Sequence, residues 1–120
     1  MIIIGFRMHE MSIAQSMIEI IREEMQKYDA KTLRSVRLNI GKMSAIVPDA
    51  LSFCFEVITA GTKMEGARLI IDIIPLKGYC YACEKEFGIE NYVFACPLCG
   101  GTKFKAISGQ DLSIKEIEVD

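Results

Sequence analysis

Two cysteine pairs constrain this chain more than any other feature of its sequence. Cys80 and Cys83 enclose two residues, and after twelve further residues Cys96 and Cys99 enclose two more. Two intervening residues let both sulfurs of a pair reach one metal ion from a tight turn, and two such turns complete a tetrahedron. The spacing predicts a zinc ribbon whose four thiolates leave no open coordination position for hydrolytic catalysis.

The same four residues are compatible with three other interpretations. A C-x-x-C pair can be redox-active, although no thioredoxin-like strand-to-helix context surrounds these pairs. Iron in a rubredoxin-like electron carrier would use the same ligands, and metal analysis with a visible spectrum separates red iron from colourless zinc. Partial disulfide formation during purification is the third alternative. The fifth cysteine, Cys54, is expected to be a small core residue rather than a nucleophile.

Composition favours a soluble, cytoplasmic protein. The chain has 120 residues, 51% of them apolar, which is enough for one domain with a modest core. No apolar run approaches the roughly 18 residues that span a bilayer, and Ile2-Ile3-Ile4 is far shorter than the core of a signal peptide. A formal net charge of −2 argues against a nucleic-acid partner, since such proteins usually carry a basic patch.

Apolar spacing predicts two helices. Ser12 with Gln15 forms a capping-box signature, so the first helix is expected over 12–27, which places His9 and Glu10 before its first turn in a segment that need not be buried. Pro48 and Gly61 are typical of the start and the stop of a second helix over 48–60. The predicted apolar stripe of this helix consists of Leu51, Cys54, Phe55 and Ile58. Phe53 and Val57 are expected to widen it.

Three strands complete the predicted architecture. Alternation of apolar and polar residues over 34–42 indicates a half-buried strand. The nearly continuous apolar run over 67–75 indicates a central strand. Residues 111–119 are expected to form a third strand, whose apolar alternation shifts at a bulge near Lys115-Glu116. The expected fold is a small α+β or α/β layer: two helices on one face of a three-stranded sheet, with an inserted zinc-ribbon module.

The insert divides the predicted domains. Residues 1–75 plus 108–120 form the α/β domain, and residues 76–107 form the zinc-ribbon domain. Metal binding is expected to supply the folding energy of this short insert. Its few core residues are predicted to be Tyr79, Phe87, Tyr92 and Phe94. The basic residues Arg34, Arg37 and Lys42 are expected on a solvated strand face.

The single histidine, His9, limits the chemistry available to the chain. No phosphate-binding loop, dinucleotide-binding turn or serine–histidine–carboxylate order is found, so we expect no enzyme activity. A lone histidine before a helix is usually a surface residue or an auxiliary cap. If the chain begins at Met8, however, a free amine, two deprotonated amides and the imidazole can surround a square-planar Ni(II) or Cu(II) ion.

Several segments from Met8 to nearly the end of the chain are shared with one known family. They are the long first helix, the cysteine quartet, Met8-His9-Glu10-Met11-Ser12, Pro48-Asp49-Ala50-Leu51 through Phe55-Glu56, Thr59-Ala60-Gly61-Thr62 and Glu65-Gly66-Ala67. Together they resemble the HypA/HybF family of hydrogenase nickel-insertion chaperones.

The resemblance implies two metal sites and a delivery function. Nickel would be bound by the His9 side chain, the Glu10 backbone nitrogen and the Met8 amine, and structural zinc by the four paired cysteines. The nickel would go to the large subunit of a [NiFe]-hydrogenase with the GTPase partner HypB, from a monomer or homodimer without nucleic-acid or membrane partners. The alternative is a zinc-ribbon module that binds protein or nucleic acid and has no nickel function.

The residues before Met8 depart from the family pattern. If residues 1–7 are retained, Met8 offers an amide instead of an amine, and nickel affinity should fall because an amide proton is far less acidic. We therefore expect the functional chain to start at Met8, with 1–7 a non-native or over-called extension. Residues 2–6 are then an apolar addition that can pair with a sheet edge or a neighbouring chain.

Overall fold

The computed structural model describes residues 8–91 and 93–120, without the side chains of Met8 and His9. In chain order the described elements are α1 (Met8–Lys27), β1 (Leu33–Gly41), α2 (Pro48–Thr59), β2 (Arg68–Ile74), β3 (Lys77–Cys80), β4 (Lys85–Gly88), β5 (Phe104–Ser108) and β6 (Leu112–Val119). The strands form two three-stranded sheets, ordered β2-β1-β6 and β4-β3-β5. The predicted small α+β class with a cysteine-bearing insert is confirmed.

The described chain packs as two compact units, of which the first contains residues 8–38, 45–72 and 113–120. Apolar residues spaced along α1 and α2 and alternating along β1 are buried in its core, as their periodicity predicts. The buried side chains include Ala14, Met17, Ile18, Ile21, Met25, Leu33, Val36, Leu38, Leu51 and Phe55. Burial of these aliphatic and aromatic groups is the main source of stability for this unit.

Helix α1 begins at Met8, so the predicted start at Ser12 is wrong. His9 and Glu10 lie in its first turn, and Glu10 is buried at 6% exposure, contrary to the expectation of an unburied segment. The Glu10 carboxylate accepts a hydrogen bond from the Val47 amide at 3.1 Å. This tertiary contact holds the first turn against the chain before α2 and outweighs the local capping signal. Ser12 and Gln15 are exposed helical residues.

Strand β2 lies at an edge of its sheet, so its predicted central position is wrong. The central strand is β1, which pairs with both β2 and β6. A continuous apolar run indicates burial but does not identify the neighbours of a strand. Arg37 on β1 forms ion pairs with Asp72 at 2.9 Å and Glu116 at 3.4 Å. The hydrogen bond from Arg37 to Asp72 and the charge of this carboxylate raise the pKa of Arg37.

Helix α2 ends at Thr59, and Gly61 follows with a φ of +78°, as the stop signal predicts. Its predicted stripe is partly wrong, because Phe53 and Val57 are 66% and 49% exposed. In β6 the burial alternation changes phase between Lys115 and Glu116, which are both exposed. The predicted bulge at this point stays a prediction.

The second compact unit contains residues 39–44 and 73–112. Two glycines allow backbone segments to meet within it. A Cβ atom on Gly41 would lie 2.3 Å from the Gly109 carbonyl. Gly109 has a φ of +90°, and a Cβ atom on this residue would lie 2.5 Å from the Leu76 Cα. The predicted division into an α/β domain and a zinc-ribbon domain, with bounds at 75/76 and 107/108, stays a prediction. Among the described residues, no helix combines the length and apolar content that a membrane span needs.

Candidate metal centre

Strand β3 carries the first cysteine pair to the centre of the second sheet. It pairs antiparallel with β4 and β5, and Cys80 at its end faces Lys85 on one side and Phe104 on the other. The chain then turns back into β4. The Glu84 amide donates a hydrogen bond to the Cys80 carbonyl at 2.8 Å, and Glu84 has a φ of +54°. This turn directs the Cys80 and Cys83 thiols to the same side.

The second cysteine pair repeats this turn. The Gly100 amide donates to the Cys96 carbonyl at 2.8 Å, and Gly100 has a φ of +70°. In addition, the Gly101 amide donates to the Cys99 Sγ at 3.4 Å. The two C-x-x-C segments are therefore matched knuckles that differ mainly in the residue after the second cysteine, Glu84 in one and Gly100 in the other.

The four thiols converge as a tetrahedral site requires. The Cys80 and Cys99 Sγ atoms are 3.7 Å apart, the Cys83 and Cys96 Sγ atoms 3.8 Å, and all four lie within 4.8 Å of one another. A tetrahedron with Zn–S bonds of about 2.3 Å has edges of about 3.8 Å. The residues therefore fit a tetrathiolate metal ion, a donor set that suits zinc or iron. All five cysteines are free thiols in the structure.

Hydrogen bonding separates the acidities of these thiols. Hydrogen bonds with Cys99 and Cys96, together with burial, raise the pKa of Cys83 to about 12. Backbone hydrogen bonds from Cys99 and Leu98 lower the pKa of Cys96 to about 7. Only thiolates bind the metal, so metal binding releases protons and weakens as the pH falls.

The apolar core beneath the thiols is small. Phe87 is buried as predicted, and its ring packs edge to face against Phe104 with centroids 5.4 Å apart. Phe94, by contrast, is 44% exposed, so its predicted place in this core is wrong, and Tyr79 is only half-buried. Tyr92 lies outside the described residues. Sequence reasoning missed Leu76, Ile89 and Phe104, although the alternation of Phe87 with Ile89 was a usable signal.

The predicted nickel residues lie in the first compact unit, and the cysteines lie in the second. Met8, His9 and Glu10 are consecutive in the first turn of α1. The carboxylate of Glu10 is engaged with the Val47 amide, directly before Pro48 at the start of α2. The Glu10 side chain therefore links the first turn of α1 to the residue that precedes α2 through a hydrogen bond.

Comparisons with known proteins identify the family. A family described as HypA, a metallochaperone for hydrogenase and urease nickel incorporation, matches residues 8–119. The hydrogenase maturation factor HypA of Geobacter metallireducens is 44% identical over 113 residues, which cover 94% of this chain and 100% of that protein. The chain belongs to the HypA family. The HypA of Rhizobium leguminosarum bv. viciae is 40% identical over 112 residues, 93% of this chain and 99% of that protein.

Solved structures support the fold. The solution structure of a HypA protein has a TM-score of 0.74 at 23% identity and covers 93% of this chain and 96% of that one. The solution structure of the Ni metallochaperone HypA from Helicobacter pylori has a TM-score of 0.66 at 20% identity, covering 92% and 96%. The predicted family resemblance is confirmed, and it places the chain among the HypA metallochaperones.

Proposed function

We propose that this chain binds Ni(II) at Met8-His9-Glu10 and delivers it to the large subunit of a [NiFe]-hydrogenase, with HypB as the GTPase partner. The observation that carries the proposal is the family match, which begins at residue 8, the methionine of the Met-His-Glu sequence. Four of the five cysteines form two C-x-x-C pairs typical of metal binding, which suits a reducing compartment, so the delivery is proposed for the cytoplasm.

Backbone connectivity supports nickel chelation at this point. In a chain that begins at Met8, the His9 and Glu10 amides have no carbonyl four residues earlier to which they could donate. Deprotonating them therefore breaks no helical hydrogen bond. With the Met8 amine and the His9 imidazole they supply four nitrogen donors, a set that favours square-planar Ni(II). A site at a chain end is open on one side, so the ligands of an acceptor protein can approach the metal and displace the donors.

The role proposed for Glu10 is divided between its backbone and its side chain. The backbone nitrogen is a nickel donor, whereas the buried carboxylate accepts the Val47 hydrogen bond at 3.1 Å and positions the turn. Glu10→Gln retains an oxygen that can accept this bond, and Glu10→Ala removes it. We expect Glu10→Gln to bind nickel nearly as well as the parent, and Glu10→Ala to bind it more weakly.

The four cysteines are proposed to hold a structural zinc ion. Four protein ligands close its coordination sphere, so the zinc supplies folding energy and takes no part in hydrolysis. Metal analysis of the purified chain is expected to give one zinc and a colourless solution. A red protein containing iron would instead support the rubredoxin-like alternative.

A comparison of two chain forms tests the proposed start at Met8. Nickel is titrated into residues 1–120 and into a form that begins at Met8, with square-planar absorption as the readout. We expect the shorter form to bind at least about tenfold more tightly, a difference of about 1.4 kcal/mol, because only it has an amine beside His9. Equal affinity and equal absorption in the two forms would contradict this start.

Substitution of the only histidine tests the nickel site itself. In the form that begins at Met8, His9→Ala is expected to lose nickel and retain zinc, while the control Cys54→Ser retains both metals. Tight nickel binding by His9→Ala would move the site to the paired cysteines. For delivery, the nickel-loaded chain is mixed with a hydrogenase large-subunit precursor, HypB and GTP, and nickel in the precursor is measured. Transfer that does not depend on His9 would overturn the delivery proposal.

A further inference from the structure

The two outer strands of the sheet β2-β1-β6 differ in how they are protected against pairing with another strand. An unpaired strand edge offers amides and carbonyls to other chains, and charged side chains, prolines or bulges along it usually prevent such pairing. Strand β6 carries Lys115, Glu116 and Glu118, and its burial alternation changes phase. Strand β2, RLIIDII, contains neither lysine nor proline. Among the described strands, β2 has β1 on one side and no neighbour on the other.

Alternate residues of β2 direct their backbone groups away from β1. The Ile74 carbonyl accepts a hydrogen bond at 2.9 Å from the Lys42 amide, directly after β1, so the backbone groups of Ile74 face β1. Because these groups alternate in direction along a strand, those of Asp72 also face β1, whereas those of Leu69 and Ile71 face away from it. The side of β2 remote from β1 therefore presents two amides and two carbonyls.

The sequence of β2 is complementary to itself in one antiparallel register. When two copies of β2 pair about Ile70, Leu69 lies opposite Ile71 of the second copy, and Arg68 lies opposite Asp72 of the second copy. Leu69 and Ile71 exchange two backbone hydrogen bonds, or four in all by symmetry, because their groups face outward. Arg68 and Asp72 then occupy the other type of antiparallel pair, in which Cα atoms are only about 4.5 Å apart and the side chains are closest.

The charges on this sheet favour the same register. Asp72 forms an ion pair at 2.9 Å with Arg37, which also pairs with Glu116 at 3.4 Å. Arg68 is exposed, and in the part of the chain that the structure describes it has no ion-pair partner. Arg68 of the second copy would extend the row, whose charges then alternate in sign across four strands. Opposite charges at facing positions of two strands stabilise their pairing, and like charges oppose it.

We propose that two copies of this chain associate through β2, antiparallel about Ile70, so that their two three-stranded sheets form one sheet of six strands. A second copy is the occupant of this edge because the charges and the outward backbone groups of β2 match in a single register. The inference goes beyond the proposed nickel function, since β2 contains none of the proposed metal ligands. Nickel binding can therefore fail while the association persists. The contact involves five residues of each copy, so the dimer is expected to dissociate on dilution.

Amide hydrogen exchange in the full 120-residue chain, at low and high protein concentration, tests the backbone pairing. The Leu69 and Ile71 amides are expected to exchange at least about tenfold more slowly at high concentration, because pairing withdraws them from water. The Val119 amide is the control. It faces away from β1 on the other outer strand, since the neighbouring Asp120 amide donates to the Thr32 carbonyl at 3.0 Å. Its rate should not depend on concentration. Sedimentation equilibrium measures the dimer in the same samples.

Charge reversal tests the register. Arg68→Glu and Asp72→Lys each place like charges opposite one another at two symmetric points, so the dimer affinity of either variant alone should fall by at least about thirtyfold. An equimolar mixture of the two variants restores opposite charges at both points and is expected to associate nearly as tightly as the parent. Lys115→Glu is the matched control, because it makes the same change of charge at an exposed position of β6. It should leave the affinity unchanged.

The folded state of each variant is verified by circular dichroism. Arg68→Glu removes no ion pair of the described chain, whereas Asp72→Lys loses the contact with Arg37. If Asp72→Lys is unfolded, Ile71→Pro replaces it, because proline removes an outward amide and is tolerated on an edge strand. A parent that is monomeric at all concentrations would overturn the proposal. So would parent-like dimerisation of folded Arg68→Glu or Ile71→Pro, or a mixture of the two folded charge variants that stays monomeric.

Discussion

The two sheets of this protein are stabilised by different means. The sheet β2-β1-β6 has strands of seven to nine residues and is accompanied by two helices whose aliphatic side chains are buried, whereas β4-β3-β5 has strands of four or five residues. The core cluster beside the short strands consists of five buried residues, and two of these are the metal-site cysteines Cys80 and Cys96. A core this small does not offset the entropy of ordering the chain, so we expect metal–thiolate bonds at the proposed site to supply the difference.

Metal removal is the change that should separate the two regions most strongly. A chelator that strips the metal is expected to unfold residues 77–108 and leave α1 and α2 folded, because structural zinc contributes about 10 to 16 kcal/mol of apparent binding free energy. Amide hydrogen exchange should rise in β3, β4 and β5, while the helical circular dichroism signal persists. Acid should act in the same direction, since protons compete with the metal for thiolates.

Single cysteine variants provide the matched control for this experiment. Cys96→Ser should reproduce the effect of the chelator, because Cys96 is one of the four proposed ligands and is buried at 3% exposure. Cys54→Ser, at the half-buried fifth cysteine on α2, should retain the metal and the protection of the ribbon. If the chelator removes both the helical circular dichroism signal and the hydrogen-exchange protection of the ribbon, the two regions unfold together. That result would contradict their stabilisation by different means.

A substitution in the aliphatic core should produce the opposite pattern. Leu38 is fully buried in β1, and Leu38→Ala is expected to cost about 2 to 5 kcal/mol through lost apolar contact and the cavity left behind. Denaturant unfolding followed by helical circular dichroism measures this cost, and zinc stoichiometry should stay at the parent value. Loss of zinc from folded Leu38→Ala would contradict the separate stabilisation of the two sheets.

Local patterns predicted what depends on neighbours in sequence. The spacing of Cys80, Cys83, Cys96 and Cys99 was sufficient to predict that their four thiols converge, because each knuckle is a turn of few residues. The alternation in β1 was sufficient for the burial of Val36 and Leu38, because side chains along a strand point to opposite faces. The structure places the residues that were predicted from the cysteine spacing and from the alternation in β1 where those two patterns predict them.

Long-range contacts account for the errors. The start of α1 depends on Glu10 meeting the Val47 amide 37 positions away, and no local signal reports that meeting. The edge position of β2 follows from which strands pair with β1, which hydrophobicity does not encode. Phe53 and Val57 are apolar yet exposed, so apolar character alone assigned them to the wrong side of α2.

Aromatic packing in the ribbon offers a smaller test of the comparison. A Cβ atom on Gly78 would lie 2.9 Å from both the Phe104 and the Phe87 rings, so Gly78→Ala should force this edge-to-face pair apart. We expect a cost of about 1 to 3 kcal/mol, measured as weaker zinc binding in competition with a chromophoric chelator. Gly88→Ala on β4 is the control, because nothing lies within 4 Å of its added methyl group. Equal affinities in the two variants would show that the aromatic pair contributes little.

The two knuckles themselves provide the smallest and sharpest comparison. Both place a residue with positive φ after the second cysteine, at +54° for Glu84 and +70° for Gly100, but only glycine adopts this conformation without a steric cost. Glu84→Gly should therefore tighten zinc binding by up to about fivefold, or about 1 kcal/mol, because binding and ribbon folding are coupled.

Two further variants separate backbone strain from charge. Glu84→Gln removes the negative charge beside the thiolates but retains the strained backbone, whereas Gly100→Ala introduces strain where the added Cβ meets nothing within 4 Å. If strain dominates, Glu84→Gln leaves zinc affinity near the parent value and Gly100→Ala lowers it by about fivefold, the inverse of Glu84→Gly. An increase in Glu84→Gln as large as that in Glu84→Gly would instead assign the effect to repulsion between Glu84 and the thiolates. The two knuckles would then differ in the charge beside the thiolates, and their backbone conformations would contribute equally to zinc affinity.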